Sequence, residues 1–126
     1  MTSEIKVTPS SGNVFRDLGF TEAEAEEALA KSELIAAIAK TITHRKLTQI
    51  EAAKRCRTDQ PTLSKVLRGR MESVTIDRLA AWLTALGRSI EIRVRSEVAE
   101  APGHLSINVR QPAEKKRVPN KRRAAA

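Results

Sequence analysis

The sequence predicts a mainly α-helical protein, in which a bundle of helices is followed by a short C-terminal β-hairpin and a basic tail. Helix-capping patterns precede runs of apolar residues at helical spacing up to Gly87, and beyond this residue the apolar positions alternate. Aromatic residues make up only 2% of the chain. The core must therefore be built mainly from Leu, Ile, Val and Ala, as in small helical domains.

The first long helix follows a polar N-terminal segment, residues 1–12, which we expect to be flexible. Thr21 and Glu24 form a Ser/Thr-x-x-Glu capping box, and Phe20 occupies the preceding hydrophobic position. The apolar spacing after the box predicts one long helix, or two abutting helices, up to about His44.

Two short helices come next, in the stretch "LTQIEAAKRCRTDQPTLSKVLRG". Thr48 and Glu51 repeat the capping box, which predicts a helix from Gln49 to about Cys56 with a small inward face. Asp59 is the expected N-cap of the second helix, which would bury Leu63, Val66 and Leu67 and stop at Gly69.

A further helix is predicted from Thr75 to Gly87, with the core side chains Leu79, Trp82, Leu83 and Leu86. Beyond Gly87, "SIEIRVRS" and "HLSINVR" alternate apolar and polar residues around a Pro-Gly turn, which predicts an antiparallel hairpin within residues 88–110. We expect its apolar face to mediate dimerisation. Residues 111–126 are too polar to fold alone and are expected to be a disordered basic tail.

Composition and charge limit the function. The 126 residues carry a net charge of +8 and suit one small globular domain with polar appendages. The excess of Lys and Arg lies in residues 45–70, with eight against two acidic residues, and in residues 110–126, with seven against one. Clustered positive charge of this kind indicates a site for a polyanion.

Other classes of function are disfavoured by what the sequence contains. Neither an apolar run of roughly 20 residues nor a basic-then-apolar signal pattern is found, so a cytoplasmic protein without a membrane segment is expected. Cys56 cannot form an internal disulfide and is interpreted as a core thiol. With His44 and His104 as the two histidines, we expect no enzyme, no metal site and no cofactor.

Two helices joined by a three-residue turn have the geometry that places the second helix in the major groove of DNA while the first helix braces it. The small Ala52 and Ala53 would permit a close crossing of the helices. The groove-facing side of the second helix would present Gln60, Thr62, Lys65 and Arg68, flanked by Arg57 and Arg70.

The stretches "LTQIEAA" and "DQPTLSKVLRGR" resemble the Cro/XRE helix-turn-helix family. Together with "SGNVFRDLGF", "TIDRLAAWLTALG" and "RSIEIRVR", they are similar to the HigA-type antitoxin branch, whose members pair with RelE/HigB-like ribonuclease toxins. The resemblance covers about residues 11–110.

The resemblance implies that Gln49 binds a phosphate and that Arg57 occupies a left-handed turn position where glycine is usual. Pro61 disfavours a helical Gln60, so the second helix is expected to start one residue later than in family members. Bases would be read by Gln60, Thr62 and Lys65, and the DNA backbone bound by Ser64 and Arg68. The full set of expected DNA-binding residues is Gln49, Gln60, Pro61, Thr62, Ser64, Lys65, Arg68 and Arg70.

The principal hypothesis is therefore an antitoxin that binds double-stranded operator DNA as a homodimer, represses its own operon and neutralises a cognate ribonuclease toxin. The alternative is a stand-alone transcriptional regulator of the same fold. A module that holds RNA or another protein is a third alternative.

Overall fold

The computed structural model describes residues 13–96 and 102–110. Within them the chain forms five helices: α1 (Val14–Asp17), α2 (Glu22–His44), α3 (Gln49–Cys56), α4 (Gln60–Leu67) and α5 (Ile76–Ala85). The expectations of a flexible N-terminus at residues 1–12 and of a disordered tail at residues 111–126 lie outside these described residues.

The helices begin at the predicted caps. Both capping boxes are formed, since the Thr21 and Thr48 side chains accept from the backbone N–H of Glu24 and Glu51, whose carboxylates accept in return. Asp59 caps α4 and Thr75 caps α5. Helix α2 is one continuous helix of 23 residues. These starts were predictable because each cap depends on residues close to it in the chain.

Helix α1 was not predicted. It begins at Asn13, which is only 6% exposed. The Asn13 Oδ1 accepts from the N–H of Phe15 at 3.0 Å, and its Nδ2 donates to the carbonyl of Ala25 at 3.1 Å. One side chain thus caps α1 and fixes it against α2.

The core lies between α2, α3, α4 and α5. Its fully buried side chains include Ile38, Leu63, Leu79 and Leu86, and Trp82 is 3% exposed, so its predicted place in the core is confirmed. Helix α3 contributes Ala52 and Ala53. Because these side chains are small, the backbone of α3 can approach the rest of the core closely.

The predicted β-hairpin is wrong. Neither residues 88–96 nor residues 102–110 form a strand, and Ile92 and Val94 are 85% and 90% exposed. Alternating apolar residues specify the two faces of a strand, but a strand also needs a partner, and an isolated two-stranded hairpin is marginally stable. Here the second segment instead contacts α2.

Residues 104–110, which we name the strap, run along α2. The Glu26 carboxylate accepts from the N–H of Leu105 at 3.0 Å and lies 2.5 Å from His104 Nδ1. At the other end, Arg88 donates to Thr41 Oγ1 at 2.9 Å and to the carbonyl of Arg110 at 2.5 Å. From Glu26 to Thr41 the helix rises about 22 Å, which six extended residues span.

The pKa of His104 is raised, chiefly by its hydrogen bond to Glu26, and that of Glu26 is lowered, chiefly by the N–H of Leu105. The stability that protonated His104 gives to the contact between the strap and α2 is therefore complete below its ordinary pKa of 6.5. It is lost as the pH rises through the raised pKa. The stability that ionised Glu26 gives to the same contact is complete above its ordinary pKa of 4.5. It is lost as the pH falls through the lowered pKa. The contact between the strap and α2 should therefore be most stable between pH 4.5 and pH 6.5.

We predict that Glu26→Gln lowers the pKa of His104 toward its ordinary value, because the substitution removes the carboxylate that stabilises the imidazolium. An NMR titration of the His104 ring protons measures this pKa directly. Glu27→Gln, on the neighbouring residue, is the matched control and should leave it unchanged. An equal effect of both substitutions would show that His104 responds to net charge and does not pair with Glu26.

Candidate nucleic-acid interface

Helices α3 and α4 begin at the same edge of the molecule, and each begins with an exposed glutamine. The Gln60 Nε2 donates to Gln49 Oε1 at 2.9 Å. This bond leaves the Gln60 Oε1 able to accept and the Gln49 Nε2 able to donate. The paired amides therefore present both an acceptor and a donor to a ligand at this edge.

Helix α4 separates its residues into two faces. Leu63 and Val66 are buried in the core. Helical spacing places five of the predicted site residues together on the opposite face, where all but the half-buried Ser64 are exposed: Gln60, Pro61, Ser64, Lys65 and Arg68. This face combines an amide, a hydroxyl and two cations, the groups that bind base edges and phosphates.

The remaining predicted residues lie at the margins of that face. Thr62 is half-buried on the flank of α4, and its N–H donates to Asp59 Oδ1 at 2.7 Å. Arg70 is exposed and follows Gly69, beyond the end of the helix. Gln49 is on α3. The structure thus brings Gln49 to the α4 face through its bond with Gln60, whereas Thr62 and Arg70 are peripheral to it.

The N-cap of α4 is a carboxylate with a low pKa. Hydrogen bonds from Thr62, the side chain first and then the backbone N–H, lower the pKa of Asp59. An anionic Asp59 satisfies a free N–H at the start of the helix and stabilises its positive end. The first turn of α4 is therefore fixed at the point where the site residues begin.

The turn between α3 and α4 has the left-handed residue that the family resemblance implies. Arg57 has φ 59° and ψ 42°. Its N–H donates to the carbonyl of Lys54, and the N–H of Thr58 donates to that of Ala53, which is the pattern of a Schellman motif. Helix α4 then starts at Gln60, with Pro61 in its first turn, so the expectation that Pro61 would keep Gln60 out of the helix is wrong.

Sequence reasoning missed one exposed residue at this edge and the bond between the two glutamines. Ile50, the second residue of α3, is 62% exposed. On the helix it lies beside Ala53 but about 120° from Cys56 and farther from Ala52, outside the centre of the buried face, so a helical projection of α3 would have found it. The amide pair carries no such signal because Gln49 and Gln60 are on different helices.

The described residues contain no group of three or more His, Cys, Asp and Glu placed to hold a metal ion. Burial raises the pKa of the Cys56 thiol, whose Sγ lies 3.8 Å from the carbonyl of Trp82. Among the described helices, none has the length and hydropathy needed to cross a membrane.

Comparisons with known proteins agree with this geometry. The family model described as a helix-turn-helix domain matches residues 14–95, so the chain belongs to this family. A solved structure named for the XRE family of transcriptional regulators has 30% sequence identity and a TM-score of 0.61, covering 68% of this chain and 97% of that chain. No curated protein matches the chain.

These comparisons confirm the Cro/XRE part of the resemblance. The HigA-type branch stays a prediction.

Proposed function

We propose that this protein is a sequence-specific DNA-binding regulator of transcription of the XRE type. The observation that carries the proposal is the exposed pair Gln49–Gln60 at the adjoining N-termini of α3 and α4. Amides at the first turn of the second helix are suited to reading base edges in the major groove.

The groups around this pair support the same function. Lys65 and Arg68 place cations along the exposed face of α4. Cations bind phosphates in any sequence, whereas the Gln60 amide distinguishes bases, and adenine is the base whose edge matches an amide. The regulator acts by occupying its DNA site and carries out no reaction.

The test begins by selecting a preferred duplex from a random library with the wild-type protein. Gln60→Ala should weaken binding to this duplex by about 1 to 3 kcal/mol and relax base preference at one position. Lys65→Ala should also weaken binding by about 1 to 3 kcal/mol. Gln49→Ala should be non-additive with Gln60→Ala, because the two amides bond to each other. Fluorescence anisotropy titrations measure all of these affinities.

Arg95→Ala is the control for net charge, since Arg95 is exposed and lies outside the helices. Circular dichroism verifies that each variant is folded. If Gln60→Ala and Lys65→Ala bind the selected duplex as tightly as the control, α4 is not the recognition helix. If the wild-type protein selects no sequence, it does not have the proposed function.

The antitoxin role is supported by the sequence resemblance alone, so the stand-alone regulator is the function that we place first. In the antitoxin case the protein would repress its own operon and bind a RelE/HigB-like toxin. A neighbouring gene for a small basic ribonuclease-like protein would favour the antitoxin. Inhibition of that ribonuclease by the purified protein would then be the direct assay.

The DNA-binding unit that we propose is a homodimer. One recognition helix covers too little DNA for tight specific binding, so this class usually places two such helices about one helical turn apart. Ile92 and Val94 are 85% and 90% exposed and lie two residues apart. A second copy of the chain could bury these side chains by symmetric contact.

We predict that Ile92→Glu with Val94→Glu yields a monomer that keeps its helices, because the substitutions place charge in the contact between copies. Sedimentation equilibrium measures the mass, and circular dichroism the helix content. Ser89→Glu with Ser96→Glu adds the same charge at exposed positions nearby and should leave the dimer intact. A dimer that survives the first pair of substitutions would place the interface elsewhere.

For residues 111–126 we propose non-specific contact with DNA. The strap ends at Arg110, which Arg88 holds close to Thr41 in the last turns of α2. The chain therefore leaves the strap near the end of α2 that leads into α3. Six Lys and Arg follow Arg110 in the sequence and could neutralise phosphates beside the recognition helix.

Deletion of residues 111–126 should lower the affinity for the selected duplex and for mixed-sequence duplexes by the same factor. The slope of log K against log salt should fall by about 0.9 for each phosphate that the tail neutralises in the wild-type complex. Titrations over a series of KCl concentrations measure both effects. An unchanged slope would show that the tail does not contact DNA.

A further inference from the structure

Three turns between helices share one layout: a left-handed residue, one further residue, an N-cap and the first residue of the next helix. They are Gly19-Phe20-Thr21-Glu22, Lys46-Leu47-Thr48-Gln49 and Arg57-Thr58-Asp59-Gln60. Their left-handed residues have φ of 97°, 60° and 59°. We call the second and third of these turns the cationic corners.

The three turns also share their hydrogen bonds. In each, the left-handed residue donates to the carbonyl three residues back, and the next residue donates to the carbonyl five residues back, for example Lys46 to Thr43 and Leu47 to Ile42, both at 3.0 Å. These are Schellman motifs. The backbone requirement at Gly19, Lys46 and Arg57 is therefore the same, and only the residue that meets it differs.

Glycine suits this backbone position, because a Cβ in the left-handed conformation crowds the following carbonyl. Lys46 and Arg57 both have this Cβ and are therefore strained. Their side chains are exposed and make no hydrogen bond or ion pair with any other residue in the part of the chain that the structure describes. Internal contacts of these side chains thus do not offset the strain.

The residue type at the left-handed position differs with the location of the turn. Gly19 precedes Glu22 and the acidic first turn of α2. Lys46 and Arg57 each precede, by three residues, one of the two glutamines that bond to each other. Strained backbone that the surrounding structure holds in place is concentrated at functional sites. Cations therefore replace glycine at the two corners that meet at the candidate interface.

We propose that Lys46 and Arg57 bind DNA phosphates, as a pair of cations at the two ends of α3. This inference rests on the proposed DNA-binding function. Helix α3 has eight residues, so it is about 12 Å long, and its two ends can contact different phosphates of the DNA backbone that the bracing helix crosses. Lys46 lies three residues before Gln49, and Arg57 lies three residues before Gln60.

The test measures stability and DNA binding in the same variants, because the proposal predicts opposite signs for them. Lys46→Gly and Arg57→Gly should each raise the melting temperature by a few degrees, about 3 to 6 °C, since they relieve the strain. Each should also weaken binding to a mixed-sequence duplex of about 30 bp by about three- to tenfold, and lower the salt slope by about 0.9.

Two kinds of control isolate the charge. Arg95→Gly makes the same change of residue type at an exposed position outside the helices and should change neither measurement. Lys46→Arg and Arg57→Lys keep both the charge and the strain, so they should match the wild type in melting temperature and in affinity. Thermal melts followed by circular dichroism and anisotropy titrations in KCl supply the data.

The results separate this inference from the proposed function. Glycine variants that are more stable but bind DNA with wild-type affinity and salt slope would overturn the phosphate contacts and leave the function standing. Glycine variants that lose stability together with affinity would show that Lys46 and Arg57 act through the fold. A wild-type protein that binds no duplex would overturn both proposals.

Discussion

The close packing of α3 against the core is the constraint on which the candidate interface depends. Ala52 and Ala53 are 0% and 3% exposed, so the backbone of α3 lies directly on the neighbouring helices. A larger side chain at either position would move α3 outward, because a packed core leaves no space for added volume. The bond between Gln49 and Gln60 would then break, although neither glutamine is itself in the core. The geometry of the exposed edge is therefore set by two buried methyl groups.

The parts of the fold that the sequence predicted correctly are those that depend on nearby residues. The capping boxes at Thr21 and Thr48 and the cap at Asp59 require only residues three positions apart, and all of them form. The left-handed Arg57 was also predicted, from its position in the family pattern. The hairpin was wrong and the Gln49–Gln60 bond was missed because both depend on which segments meet in space. Alternation at Ile92 and Val94 does not say what covers them, and Glu26 holds the second predicted strand as the strap.

Charge is unevenly distributed over the described helices. The first turns of α2 carry Glu22 and Glu24, whereas exposed Lys and Arg are concentrated on α3, α4 and the turns that flank them. A polyanion that approaches such a surface is oriented before contact, because the acidic groups repel it and the basic groups attract it. This orientation brings the edge with Gln49 and Gln60 toward the ligand.

The strain at Lys46 and Arg57 is tolerated because the surrounding helices are held independently of it. A left-handed residue with a side chain costs about 1 to 2 kcal/mol, whereas burial of one large aliphatic side chain contributes about 1.5 to 3 kcal/mol. Leu63 and Leu79, both 0% exposed, can therefore offset the two strained turns. Sequences usually agree with local structural preferences except at functional sites. Here the same backbone turn follows the preference at Gly19 and departs from it at the two turns beside the glutamine pair, so the departure coincides with the candidate interface.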